Sequence, residues 1–334
     1  MNKQLQRKLA QWGFSVVRVL SHLPMWVHYR FADILYPLIY YVVRYRRDVV
    51  RRNLTDSFPE KSLKDIKKTE RKFYRWFCDY IVETFKMATI SREEMSRRMT
   101  FRGTEAIDRL VEKGISCGVM LGHYCNWEWI STLPLAVSPK GLCAELYHPL
   151  ENPETNEFFL QLRQRFGSVC IPMEKALREI VRYREEKRPL VIGYIADQKP
   201  HWGNIHLWMD FLHHETPVLT GSERIIKRTG QAFFYLDVRR LRRGYYECEF
   251  KLINETPQDV PDFKLSKCYM RELEKTIRRE PAYWLWSHNR WSRTKEEFDF
   301  RFRVSNGKVH AVADDVEWEA YKRRQQQQEN TENQ

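Results

Sequence analysis

The chain has 334 residues, a formal net charge of +13, and 14% aromatic side chains including eleven tryptophans. That length suits one large or two modest domains with ample material for a core. Its seven cysteines never form a Cys-x-x-Cys pair, which excludes a disulfide frame or a zinc site as the organising device; they read as small buried residues of a reducing compartment.

The charge is concentrated at the start. Residues 1–52 hold ten Lys/Arg against two acids, Asp33 and Asp48, so +8 of the +13 lies there, interleaved with aromatic and aliphatic residues. A basic amphipathic end of this kind points to an anionic membrane surface. Nucleic acid is the competing partner, but no helix-turn-helix, zinc-finger or RNA-recognition signature accompanies the charge. The longest charge-free run, Val19–Tyr29, falls short of the ~20 residues a span needs. Arg30 and Asp33 would sit mid-bilayer at a cost of about 2.5–3.5 kcal/mol each. Helices lying in the interface are therefore expected rather than a span. No small-residue cleavage site follows the apolar stretch, so it does not read as a signal peptide.

Arg51–Glu60 reads as a loop. Ser62 to Asp65 has capping-box form and opens a long helix whose stripe runs through Phe73, Trp76, Phe77, Tyr80, Ile81 and Phe85. From Thr104 helices and strands alternate: helix to Lys113, strand Ile115–Leu121, helix over 126–137, strand Leu142–Tyr147, a helix capped by Asn152 running to Phe166. Then follow strand Val169–Pro172, helix Glu174–Glu186, strand Leu190–Ala196, and a helix beginning at Thr216-Pro217. Strands Ala232–Val238 and Tyr245–Ile253 come next, the second alternating like a sheet edge, then a helix over 262–279 and a last strand Tyr283–Ser287. This alternation predicts an α/β fold with a mixed, mostly parallel central sheet flanked by helices, behind an N-terminal amphipathic helical membrane-association region. The expected divisions are 1–52 for that region, 53–300 for the α/β domain, and 301–334 for a charged tail, with a disordered glutamine-rich end at Arg323–Gln334.

In such sheets ligands sit at the carboxyl ends of the strands. Here those ends collect polar residues: His123, then Tyr147-His148, Asp197-Gln198, and His288-Asn289-Arg290. His123 follows a buried strand and Glu128 sits in the first turn of the next helix, so an imidazole and a carboxylate can converge across a turn. A neutral His can take a proton from an attacking hydroxyl or amine while a carboxylate fixes its tautomer. No Gly-x-Ser-x-Gly elbow is present, and Cys125 lacks the setting of a thiolate. The pair suits activation of an outside nucleophile. The bland alternative is a satisfied buried His beside a solvated first-turn Glu. Arg163 and Arg165 either hold phosphates or form a solvated helix face. His201, His206, His213 and His214 crowd one loop, but without an HExxH or Cys partner they do not argue for a metal. Trp202, Trp208 and Phe211 there form either the mouth of an apolar channel or packing.

The order and spacing of several blocks resemble the bacterial late acyltransferases of lipid A biosynthesis, a family within the lysophospholipid acyltransferase-like superfamily. The resemblance covers about residues 20–295. It rests on Leu23-Pro24, Arg51 to Leu54 with Phe58-Pro59-Glu60, Gly122 through Glu128, Tyr147-His148-Pro149 with Asn152-Pro153, Ala196-Asp197-Gln198, Thr220-Gly221 with Thr229-Gly230, and Pro281 through Arg290. It implies His123 as catalytic base with Glu128 as its partner, and Arg163, Asp197 and Gln198 near the substrate, alongside His148 and Arg290 from the strand ends. It implies an acyl carrier protein or acyl-CoA donor, a lipid A precursor or related glycolipid acceptor, no cofactor, and a place on the cytoplasmic face of the bacterial inner membrane, peripheral rather than single-pass. Two blocks depart from the family pattern: Ile171–Glu174, which usually carries a basic residue, and the loop with Trp202-Gly203-Asn204 and His213-His214. Both bear on the acceptor and the acyl pocket. The rival readings are an acyltransferase for another lipid, such as a lysophospholipid, phosphoinositide glycoside or aminolipid, and a non-catalytic basic membrane- or nucleic-acid-binding protein.

Overall fold

The structure, a computed structural model, describes residues 3–332; Met1, Asn2, Asn333 and Gln334, the extremities of the expected basic region and tail, lie outside it. Four helices come first: α1 (Lys3–Leu20), α2 (Met25–Pro37), α3 (Arg47–Ser57) and α4 (Leu63–Lys86), with a π-helical stretch at Leu38–Val43. Arg51–Ser57, expected as loop, continues α3, so a boundary at residue 52 would fall inside a helix. The loop begins only at Phe58, ahead of Pro59, which disfavours helix in the residue before it. Ser62 caps α4 as its sequence requires, accepting from the Asp65 N–H. Among the described residues no helix is long and apolar enough to cross a membrane.

After α5 (Arg92–Arg98) come β1 (Met99–Arg102), α6 (Thr104–Glu112), β2 (Cys117–Leu121), β3 (Leu142–Tyr147), α7 (Pro153–Gln164), β4 (Val169–Pro172), α8 (Ala176–Glu185) and β5 (Leu190–Ile195). The hairpin β6 (Trp208–Phe211) and β7 (His214–Pro217) leads into α9 (Gly221–Thr229), β8 (Ala232–Arg242), β9 (Tyr245–Asn254) and α10 (Lys264–Arg279). α11 (Lys295–Arg301), the hairpin β10 (Phe302–Ser305) and β11 (Lys308–Ala311), and α12 (Asp315–Glu332) close the chain.

The central sheet has seven strands in the order β1-β9-β8-β2-β5-β3-β4. Every pairing is parallel except β8 with β9. β9, expected at the edge, is covered by β1, a four-residue strand too short to be read from pattern. Thr216-Pro217 ends a strand instead of opening a helix. The two-residue turn before it, Leu212-His213, has φ of +53° and +63° without Gly or Asn to signal it. Tyr283–Ser287 is not a strand: Tyr283 ends a short 3₁₀ turn, Trp284 makes one bridge to Tyr124, and Trp286-Ser287 form a turn. Residues 323–332, expected to be disordered, extend α12, glutamine being a good helix former.

One buried carboxyl ties the helical region to the sheet. Glu83 of α4 accepts from Asn126 Nδ2 and the Tyr246 hydroxyl at 2.8 Å each, and from the Tyr29 hydroxyl at 3.0 Å. Burial, helped by Asp79 and opposed by Arg240 and these donors, pushes its pKa up to about 7. A carboxyl whose folded pKa is raised gives stability that is full below the unfolded value and lost as pH rises through the folded one. Thermal stability should therefore fall as pH rises from about 4.5 through about 7. Melts across that window should show a shallower slope for Glu83→Gln; an unchanged slope would mean the carboxyl titrates normally.

Candidate active site

Parallel pairing of β2 with β5 places Leu121 opposite Ile195. Two residues beyond each strand end stand His123 and Asp197, side by side because the register carries past the last ladder bond. His123 Nδ1 lies 2.6 Å from Asp197 Oδ1, and the His123 backbone N–H donates to Oδ2 at 2.8 Å. The Trp284 indole N–H donates to the same Oδ2 at 2.7 Å, and Arg290 donates to the Asp197 main-chain carbonyl. Gly122 permits this approach: a Cβ there would sit 2.6 Å from Leu273 and 3.2 Å from Asp197 Oδ2. The loop is braced by Tyr283 and Leu285. Cys125 N–H donates to the Tyr283 carbonyl at 2.8 Å, and Leu285 N–H to the His123 carbonyl at 3.1 Å.

Burial alone would push the Asp197 carboxyl up. The His123 ring, the Trp284 N–H and Arg290 outweigh it and hold the pKa at about 2. An ionised carboxylate only accepts, so the ring proton belongs on Nδ1 and Nε2 carries the lone pair. Nε2 faces a cavity of about 240 Å³, with the Gln198 amide nitrogen 3.4 Å away.

Glu128 does not orient His123. Its two oxygens accept from Arg163 Nε and Nη2, each at 2.8 Å, in a bidentate pair on the wall of the same cavity. Glu128 is only 5% exposed, and a carboxylate buried to that extent needs a cation. The turn through Cys125, at φ +53°, aims it at α7. Burial would lower the Arg163 pKa, but its bond to Glu128 raises it. The cavity thus unites His123, Glu128, Arg163 and Gln198, with exposed His148 at the rim.

Arg290, expected against substrate, does not line this cavity. It is 1% exposed and lies behind Asp197, where burial brings its pKa down to about 10. Asp197, also expected to touch substrate, is spent on the imidazole. Arg165 donates to the Met87 and Ile90 carbonyls at 3.0 and 2.6 Å, binding main chain just past α4. His214 stacks on Trp291 at 3.7 Å, and Trp202 and Trp208 pack on Phe302 and Phe298. Trp202 and Trp208 thus belong to a small satellite core and Phe211 to the main core against Trp284, and they form no channel mouth. Among the described residues no group of three or more His, Cys, Asp or Glu could hold a metal. Burial pushes the Cys125 thiol well up, as a structural cysteine requires.

One cavity residue escaped the sequence reading. Glu145 of β3 lines the cavity, and its Oε1 is buried without a hydrogen-bond partner. Burial pushes its pKa up to about 8, against the pull of Arg163. The signal was there: an acid in the middle of an otherwise apolar strand.

The cavity thus brings an imidazole at a strand end together with a bidentate carboxylate–guanidinium pair. The chain belongs to the family of bacterial lipid A biosynthesis acyltransferases, whose model matches residues 2–293, and it is an acyltransferase acting between an acyl donor and a lipid acceptor. No curated protein matches the chain. Among solved structures it is similar to the 1-acyl-sn-glycerophosphate (LPA) acyltransferase PlsC from Thermotoga maritima. That match has 14% identity and a TM-score of 0.34, covering 80% of this chain and 99% of that one.

Asp197→Asn should keep the shape but lose the charge that fixes the tautomer, lowering turnover about 10²–10⁴-fold, the usual worth of positioned base catalysis. Glu128→Ala should cost stability as well as activity, because it leaves a partly buried guanidinium without its carboxylate. Melting of Glu128→Ala, Arg163→Ala and the double variant should give a non-additive cycle. Additive losses would mean that the pair is not coupled.

Proposed function

We propose that the enzyme transfers a fatty acyl chain from an acyl thioester, on acyl carrier protein or coenzyme A, to a hydroxyl of a lipid A precursor at the membrane surface. The observation that carries this reading is the His123 imidazole, tied through Nδ1 to Asp197 and presenting Nε2 to the cavity. In the reaction Nε2 takes the acceptor hydroxyl's proton as that oxygen bonds to the thioester carbonyl carbon. The tetrahedral oxyanion collapses, the carbon–sulfur bond breaks, and the departing thiolate recovers the proton from the imidazolium. Asp197 keeps the imidazolium in place and offsets its charge. Glu128 acts through Arg163: the pair fixes a guanidinium on the wall, where it and the Gln198 amide can donate to the oxyanion. Each such donor contributes about 10²–10³ in rate.

Membrane docking follows from the basic first 52 residues and from apolar side chains that α2 leaves exposed, among them Trp26 and Ile34. The same basic surface attracts an acidic carrier protein and an anionic lipid. Activity should fall as salt shortens the Debye length from ~30 Å at 0.01 M to ~3 Å at 1 M.

The test is purified enzyme in detergent with acyl carrier protein and coenzyme A thioesters, a lipid A precursor, and mass spectrometry of the lipid. We expect one acyl chain added per transfer by wild type and none by His123→Ala with an unchanged melt. Acylation of a lysophospholipid or aminolipid but of no lipid A precursor would replace the acceptor; equal activity of His123→Ala would remove the mechanism.

A further inference from the structure

A second cavity, of about 480 Å³, lies between α2, α4 and the turn joining β8 to β9. Four cations line it, Lys72, Arg75, Arg240 and Arg243, against two carboxylates, Asp33 and Asp79. The carboxylates are already committed. Asp79 holds Arg240 at 2.7 Å and Arg243 at 2.6 Å, and Asp33 holds Arg243 at 2.7 Å. Lys72 leans on Glu280 at 3.0 Å while remaining half exposed. Arg75 forms no ion pair among the described residues; its guanidinium lies over the Tyr36 ring at 5.1 Å. Arg240 Nε is buried without a hydrogen-bond partner. The cavity therefore keeps an excess of positive charge and unused donors, which suit a tetrahedral oxyanion group.

Its position selects the source of that anion. Asp33 and Tyr36 put α2 on the cavity's rim, and the same helix and its π-helical extension turn Trp26, Ile34 and Val42 outward, each about two-thirds exposed. A bilayer accepting those side chains at the acyl boundary would bring its phosphates level with the cavity. The wall residue Tyr283 also accepts the Cys125 N–H, so a lipid held here sits one segment from the loop that carries His123.

We propose that this cavity binds the phosphate of an anionic membrane lipid, anchoring α2 at the surface and presenting the active cavity to it. The inference rests on the membrane-facing reading of α2.

The test is cosedimentation of the full chain with vesicles of phosphatidylcholine alone or with added phosphatidic acid. It uses wild type, Lys72→Ala/Arg75→Ala, an apolar-face variant Ile34→Asp, and a charge control, Lys113→Ala/Lys187→Ala, whose exposed lysines lie at the amino ends of the central strands. Removing Lys72 and Arg75 should weaken binding to phosphatidic acid vesicles by about fivefold per cation, the worth of one basic side chain at an anionic leaflet. Binding to phosphatidylcholine alone should be unaffected, and the control should bind like wild type. Ile34→Asp should weaken binding to both vesicles. Equal binding of wild type and Lys72→Ala/Arg75→Ala to phosphatidic acid vesicles, or an equal loss in the charge control, would overturn the site. If no vesicle binds, yet inorganic phosphate raises the melting temperature of wild type and not of Lys72→Ala/Arg75→Ala, the lipid assignment is overturned in favour of a soluble phosphate ester.

Discussion

The site depends on one constraint, the parallel register between β2 and β5. With Leu121 opposite Ile195, the second residue past each strand falls beside its counterpart, and those residues are His123 and Asp197. A shift of one residue would turn the side chains to the opposite face and separate the pair. The register is held by burial, since all five residues of β2 are buried and β5 is apolar throughout its length. The proposed mechanism therefore rests on a buried part of the core, while His123 and Asp197 lie in loops just beyond it. Trp284, Arg290 and the Tyr283–Leu285 segment complete the cradle from the far end of the chain, using side-chain and main-chain hydrogen bonds in place of a further strand.

Charge is handled in two separate units around the cavity. Asp197 is ionised and serves the imidazole; Glu128 is committed to Arg163. Keeping these units apart matters, because a Glu128 shared between ring and guanidinium would serve neither geometry well. Glu145 sits on the same wall with an orphaned oxygen and a raised pKa, a carboxyl that can hold its proton at neutral pH within an apolar strand. Buried polar groups of this kind are unusual away from functional sites.

Much of this was legible in the sequence. The β3 and β4 boundaries match the expected ones, and Ser62, Asn126 and Asn152 cap their helices as their positions imply. Polar residues gathered at strand ends pointed to His123, Asp197 and Gln198. The ring's partner was not legible: sequence proximity favours Glu128, whereas the partner lies 74 residues away and is brought in by sheet order. Neither spacing nor composition encodes the placing of β5 beside β2 over β3. The role of Arg290 was hidden for the same reason, while β1 was simply too short to read from pattern. Tyr283–Ser287 misled because an aromatic, β-prone stretch is used here to brace a loop and pairs at a single bridge.

The most direct measurement of the central claim is nitrogen-15 NMR of labelled histidine at neutral pH, with His123 assigned by its absence in His123→Ala. The account predicts the ring proton on Nδ1 in wild type, with that preference lost in Asp197→Asn and kept in Glu128→Gln. A His123 protonated on Nε2, or a tautomer that follows Glu128 instead of Asp197, would contradict it.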